Sequence, residues 1–126
     1  MSIAVNLILT VNTNFYLYYL INKEITNLML KLTRPLAFID LETTGTNLGS
    51  DRIVEIAIVK ILPDGSKSVK RKIINPEMPV PKAASDIHGI TDEMVKDAPT
   101  FKQVAQELKQ MLDGCDLSGY NSNRFD

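Results

Sequence analysis

Two carboxylates, Asp40 and Glu42, stand in the stretch FIDLETTG, Phe38 to Gly45, with Leu41 alone between them. Successive side chains of an extended strand point to opposite faces, so these two point the same way, roughly 7 Å apart along the strand. Like charges on one face raise each other's pKa unless a cation lies between them. A hard divalent cation suits the place, because Mg²⁺ takes one or two protein carboxylates and completes its shell with water and substrate phosphates. The pair is a candidate metal nucleus; the alternative is two acids solvated at a strand end. Thr43, Thr44 and Gly45 follow directly. The glycine would let the backbone approach a ligand closely, with hydroxyls and N–H groups to hold it.

The elements that must carry these residues are legible in the pattern. Leu36 to Leu41 is nearly continuously apolar, which predicts a strand in the middle of a sheet. RIVEIAIVKI, Arg52 to Ile61, predicts a second strand and Lys67 to Ile74 a third. Between them Pro63-Asp64-Gly65 forms a turn in which Pro sets φ and Gly takes a positive φ, giving an antiparallel hairpin. Pro76, Pro79 and Pro81 then hold an extended connection. A short helical turn is expected over Ala83 to His88, and another short helix capped by Thr91, with Asp92 and Glu93 suited to its N-terminal dipole. The strongest helix starts at Thr100, which has capping-box spacing to Gln103. Phe101, Val104, Ala105, Leu108, Met111 and Leu112 form its apolar, core-facing side, and Gly114 stops it. Asp116 to Tyr120 is expected to return to the sheet as a short strand. Strand, hairpin, helix and strand make an α/β fold with a mixed β-sheet flanked by helices.

Composition sets the outer bounds. The 126 residues suit one domain, and 44% hydrophobic with 23% charged residues fits a globular protein. A net charge of −1 offers no global basic field for nucleic acid, yet it is compatible with an acidic metal site inside a mildly basic rim. One cysteine, Cys115, excludes an internal disulfide and a cysteine-based zinc site. It fits a reducing compartment, and a cytoplasmic location is expected. Residues 1–28 differ from the rest: Met1 to Asn22 carries no charge, and Asn6, Thr10, Asn12, Thr13 and Asn14 interrupt its apolar run. That run lacks the ~20 mainly apolar residues of a membrane span and the basic start of a secretory signal. The segment reads as an appendage, upstream sequence translated by mistake with the natural start near Met29; a membrane anchor and an extra helix packed on the domain are the alternatives.

From Phe38 to Asp126 the chain resembles the DnaQ-like, or DEDDh, 3′→5′ exonucleases, which share the ribonuclease H-like fold. FIDLETTG is similar to that family's first motif and DRIVEIAIV to its second strand. INPEMPVPKAASDIHGITDEMV is similar to its proline-rich connection and H-G-I-T segment, and GYNSNRFD to its second motif. The resemblance implies that Asp40, Glu42 and Asp126 are three of four metal-binding carboxylates. Two divalent ions, Mg²⁺ or Mn²⁺, roughly 3.5–4 Å apart would clamp the scissile phosphate. It also implies that Thr43, Thr44 and Gly45 approach the terminal nucleotide and that Ile87 and His88 line its pocket.

The substrate implied is nucleic acid with a free 3′ end, single-stranded DNA above all, with a DNA polymerase as partner and no stable membrane association. The family's third motif, H-x-A-x-x-D, supplies a general-base histidine and the fourth carboxylate; the 126 residues do not contain it. His88 is the sole histidine and stands in HGIT, so it is not assigned as the base. A general base is worth ~10²–10⁴ in rate, so residues 29–126 are expected to be the N-terminal part of an exonuclease domain, incomplete at the C-terminus, with little or no activity alone. The alternatives are a non-catalytic nucleic-acid-binding domain of the same fold and an oligoribonuclease-like RNA exonuclease, although the latter usually carry Met-Thr-Gly where this chain has Thr-Thr-Gly.

Smaller signals complete the reading. Lys67, Lys70, Arg71 and Lys72 are expected to blunt an edge strand, with contact to a phosphate backbone as the alternative. Glu55 interrupts an apolar strand and is expected to have a partner, Arg52 or a lysine.

Overall fold

The computed structural model describes residues 31–119. The proposed appendage 1–28 and residues 120–126, with the candidate ligand Asp126, lie outside them. Strands β1 (Leu36–Thr43), β2 (Ile53–Ile61) and β3 (Lys67–Ile73) are followed by helices α1 (Lys82–His88), α2 (Asp92–Val95) and α3 (Phe101–Leu112) and by strand β4 (Asp116–Gly119). Among the described residues the sheet has four strands in the order β3-β2-β1-β4. β1 pairs with β2 antiparallel and with β4 parallel, so the sheet is mixed and the apolar β1 is interior, as its composition predicts. Gly65, with φ 82°, closes the β2–β3 turn, where its N–H donates to Leu62 O at 2.9 Å.

Period-two alternation divides the sheet into two chemically different faces. On one side Ala37, Ile56 and Ile58 pack with Val104 and Leu108 of α3 and with Cys115. On the other, Leu36 and Phe38 pack with Val59 and Ile61. The row Leu36, Phe38, Asp40, Glu42 thus begins apolar and ends acidic on a single face of β1. Phe38 and Ile58 are each 1% exposed, and burying such a side chain contributes about 1.5–3 kcal/mol. A third cluster, Val54, Val80, Ala84, Ile90 and Val95, seats α1 and α2 near the start of β2.

α3 begins with the full capping box: Thr100 Oγ1 accepts from Gln103 N–H, and Gln103 returns the bond to Thr100 N–H. Gly114, with φ 75°, follows its end. Phe101 departs from the expected apolar face and is 47% exposed, because the first helical position projects beyond the packed turn that Val104 and Leu108 occupy. Thr91 holds the N-cap position of α2 without a side-chain cap bond. Asp92 instead accepts from Val80 N–H at 2.8 Å, which ties α2 to the extended connection.

The basic residues of edge strand β3 divide by alternation. Lys70 and Lys72 both bond Glu107 of α3, and together they hold its carboxyl well below the usual carboxylate range. Arg71 points to the opposite face, where it bonds Glu55 at 2.7 Å. The partner of Glu55 is therefore Arg71 rather than Arg52 or a lysine. Strand register explains it: Arg71 lies opposite Ala57 and Ile73 opposite Glu55, so Arg71 and Glu55 are diagonal neighbours on one face.

Candidate active site

The C-terminal end of β1 carries the acids, beyond the last described pair with the parallel strand β4, Ile39 with Gly119. The carboxyl ends of strands are where open α/β sheets bind ligands. Asp40 lies opposite Ala57, and Glu42 lies opposite Glu55. Directly after Glu42 the register shifts, with Thr43 pairing Ile53. Val54 is the extra residue of this bulge, a device that bends a strand and re-aims its side chains.

Glu42 sits in an electrostatically unfavourable place. Burial, first, and then the neighbouring charges of Asp40 and Glu55 push its carboxyl up to about 7, against a smaller lowering by Arg71. Such a carboxyl is one that a divalent cation would relieve. Among the described residues no three of His, Cys, Asp and Glu converge into a metal-holding group. The donor set here is the Asp40–Glu42 pair, whose hard oxygens and charge fit Mg²⁺ with water and phosphate completing its shell.

Beside Glu42 opens a cleft of about 310 Å³. Glu42, Thr43, Thr44, Gly45 and Thr46 form one wall; Pro81, Ala83, Ala84, Ile87 and His88 form the other. The fold thus brings together two sequence segments singled out separately, the acidic strand end and the helix of the H-G-I-T segment. Ile87 is 83% exposed, an apolar side chain without packing that would account for it.

His88 holds the two walls together. Its Nδ1 lies 3.1 Å from Ile90 N–H, and its Nε2 lies 2.9 Å from Thr43 O, 45 positions away in sequence. An amide N–H can only donate and a carbonyl can only accept. The ring is therefore the tautomer with its proton on Nε2, donating to Thr43 O. With both nitrogens engaged within the chain, His88 offers the cleft its ring rather than a free base.

The threonine hydroxyls are likewise engaged. Thr43 Oγ1 donates to Gly45 O at 2.6 Å. Thr44 is 2% exposed; its Oγ1 donates to Asp51 Oδ1 at 2.8 Å and accepts from Arg52 N–H at 3.0 Å. Asp51 Oδ2 accepts from Asn47 N–H at 2.8 Å, so one carboxylate closes the loop from Thr44 to Arg52. Sequence reasoning passed over Asp51. The signal was an aspartate following the turn-forming stretch Asn47-Leu48-Gly49-Ser50, where short carboxylates bind nearby backbone N–H groups.

Comparison with known proteins places the chain among relatives of known family and fold. Residues 37–126 match the family model RNase_T, described as exonuclease. The chain is 38% identical over 90 residues to the DNA polymerase III subunit epsilon of Haemophilus influenzae, covering 67% of this chain and 35% of that protein. It is 37% identical over 87 residues to a DNA polymerase III subunit epsilon-like protein of Rhodobacter capsulatus, covering 66% of this chain but 12% of the relative. Among solved structures, exonuclease X in complex with 5′ overhanging duplex DNA is similar with a TM-score of 0.57 at 31% identity, over 71% of this chain and 50% of that one. Product-bound exonuclease I aligns with a TM-score of 0.66 at 22% identity, over 75% and 24% of the two chains, a likeness of fold. The chain thus spans between about an eighth and a half of the proteins it matches here.

Proposed function

Because the chain belongs to the exonuclease family, we propose that it carries the metal- and substrate-binding wall of a 3′→5′ exonuclease acting on DNA with a free 3′ end. The observation that carries this reading is the placement of Asp40 and Glu42 on one face of β1, with Glu42 in the wall of a cleft closed by α1. Residues 29–126 belong to the exonuclease domain and residues 1–28 are an appendage to it; the family match beginning at residue 37 supports that division.

In this reading Asp40 and Glu42 hold divalent ions, Mg²⁺ or Mn²⁺, with Asp126 as a further ligand. Two such ions, if held by these carboxylates, would supply activation of a water and charge stabilisation at the leaving 3′ oxygen. The chain's own residues do the rest. The wall Thr43–Thr46 faces the terminal nucleotide with backbone held rigid by Asp51. Ile87 offers apolar surface to a base or sugar. His88 keeps β1 and α1 at a constant separation, and so sets the width of the cleft. The general base and fourth carboxylate of the third motif are not among the 126 residues, and His88 does not replace the base, since its nitrogens are committed to Ile90 and Thr43. A DNA polymerase as partner follows the similarity to subunit epsilon.

The test is release of mononucleotides from a 3′-labelled single strand with Mg²⁺ or Mn²⁺. This chain is compared with one that also carries an H-x-A-x-x-D segment, each beside its Asp40→Asn variant. Activity in the longer chain, abolished by Asp40→Asn, supports the reading. Silence in both chains, with DNA binding intact, moves the assignment to a non-catalytic nucleic-acid-binding domain. Faster release from RNA than from DNA moves it to an oligoribonuclease-like enzyme.

A further inference from the structure

Gly45 does not owe its place to backbone conformation. The glycines with positive φ among the described residues are Gly65, Gly89 and Gly114, so Gly45 lies where any residue can be accommodated. Its requirement is space, and what takes the space is Asp51. A Cβ built on Gly45 would lie 2.5 Å from Asp51 Oδ2 and 2.8 Å from both Cγ and Oδ1. The same two oxygens accept from Thr44 Oγ1 and from Asn47 N–H. The carboxylate is thus enclosed by the loop it organises: bonded on one side, and packed against the bare Cα of Gly45 on the other.

Thr44, Gly45 and Thr46 line the cleft beside Glu42. Asp51 is not among the residues that line the cleft; it meets Thr44 and Gly45 from behind that wall. We propose that Asp51 is the positioning residue of this cleft, and that Gly45 is a glycine to admit the Asp51 carboxylate rather than to admit a ligand. The proposal rests on the reading of the cleft as a nucleotide site. Asparagine would change one of the two bonds: its oxygen could still accept from Asn47 N–H, but its N–H₂ would then face Thr44 Oγ1, which would have to accept and turn its own proton away, toward Met78 Sδ at 3.7 Å. Any residue larger than glycine at 45 must shift the carboxylate that holds both bonds.

The prediction is coupling between positions 45 and 51. Four chains are compared: wild type, Gly45→Ala, Asp51→Ala, and the double variant. Each is measured by thermal unfolding and by calorimetric titration with deoxythymidine monophosphate and Mg²⁺ well below its transition. Asp51→Ala removes the three atoms that a Cβ at 45 would meet. Gly45→Ala alone is expected to lower Tm by about 4–8 °C, as a loss of two loop bonds would in a domain of this size. It is also expected to weaken nucleotide binding about tenfold or more, since small misplacements at such sites cost up to ~10²-fold. Asp51→Ala is expected to weaken binding to the same degree, and adding Gly45→Ala to it should cost little further in either measurement.

Equal losses from Gly45→Ala with and without Asp51 overturn the proposal, because the glycine would then serve the ligand directly. A lowered Tm with unchanged nucleotide affinity for Asp51→Ala also overturns it, because Asp51 would then support the fold and not the cleft. If the wild-type chain binds neither this nucleotide nor a single-stranded oligonucleotide, the nucleotide reading itself fails. The thermal measurements on the four chains then still decide whether Asp51 dictates the glycine.

Discussion

Glu42 and Glu55 stand directly opposite each other on β1 and β2, and Arg71 bonds the second of them. The site's acidic face is therefore held partly by a cation from edge strand β3, one strand further from the cleft. Charge repulsion remains on Glu42, and it has a measurable consequence.

Burial, first of all, pushes the Glu42 carboxyl up to about 7 in the folded state, from an ordinary 4.5. The folded state thus binds more protons than the unfolded chain between those values, and stability falls as pH rises through that window. Glu42→Gln removes the titration. It should stabilise the metal-free chain by ~1–2 kcal/mol at pH 8, after allowance for solvent screening of a partly exposed group, and by almost nothing near pH 4. Thermal unfolding at the two pH values measures the difference; equal effects at both would contradict it.

Arg71 offsets the charge of Glu55, whose side chain is only 12% exposed. Arg71→Met leaves that carboxylate without its cation and should cost ~1–2 kcal/mol, while the same change in a Glu55→Gln background should cost much less. Arg52→Met serves as a comparison and should change stability little, since its side chain is exposed and not the partner of Glu55. Denaturant midpoints of the single and double variants give the coupling.

Thr44→Val conserves shape and removes a hydroxyl that serves both Asp51 and Arg52 N–H. With the residue 2% exposed, the stranded partners should cost ~1–3 kcal/mol. Thr44→Ser keeps the hydroxyl, loses one methyl and should cost ~1 kcal/mol or less. Urea unfolding with an unchanged slope would assign the loss to the folded state.

At the start of α3, Thr100→Ala removes the acceptor of Gln103 N–H, while the reciprocal bond from the backbone N–H of residue 100 to Gln103 stays available, and should destabilise by ~1 kcal/mol. Thr100→Asp restores an acceptor at the cap and should recover most of the loss, which circular-dichroism melts can follow.

What the sequence determined by itself was local. Alternation along FIDLETTG placed Asp40 and Glu42 on one face, the apolar run put β1 inside the sheet, and Pro63-Asp64-Gly65 and Thr100 to Gln103 marked a turn and a helix start. Each of these follows from φ/ψ preferences, side-chain period or hydrogen bonds spanning a few residues. The tertiary structure decided everything that depends on distant segments meeting. Strand register chose Arg71 over Arg52 for Glu55. Docking of α1 against the end of β1 joined the Thr43 wall to His88 across 45 positions and committed both nitrogens of that ring. Folding back of the loop set the Asp51 carboxylate where a Cβ on Gly45 would stand. Periodicity carries no record of such approaches, because they are set by how the sheet twists, where a bulge falls and which packed surfaces exclude water together.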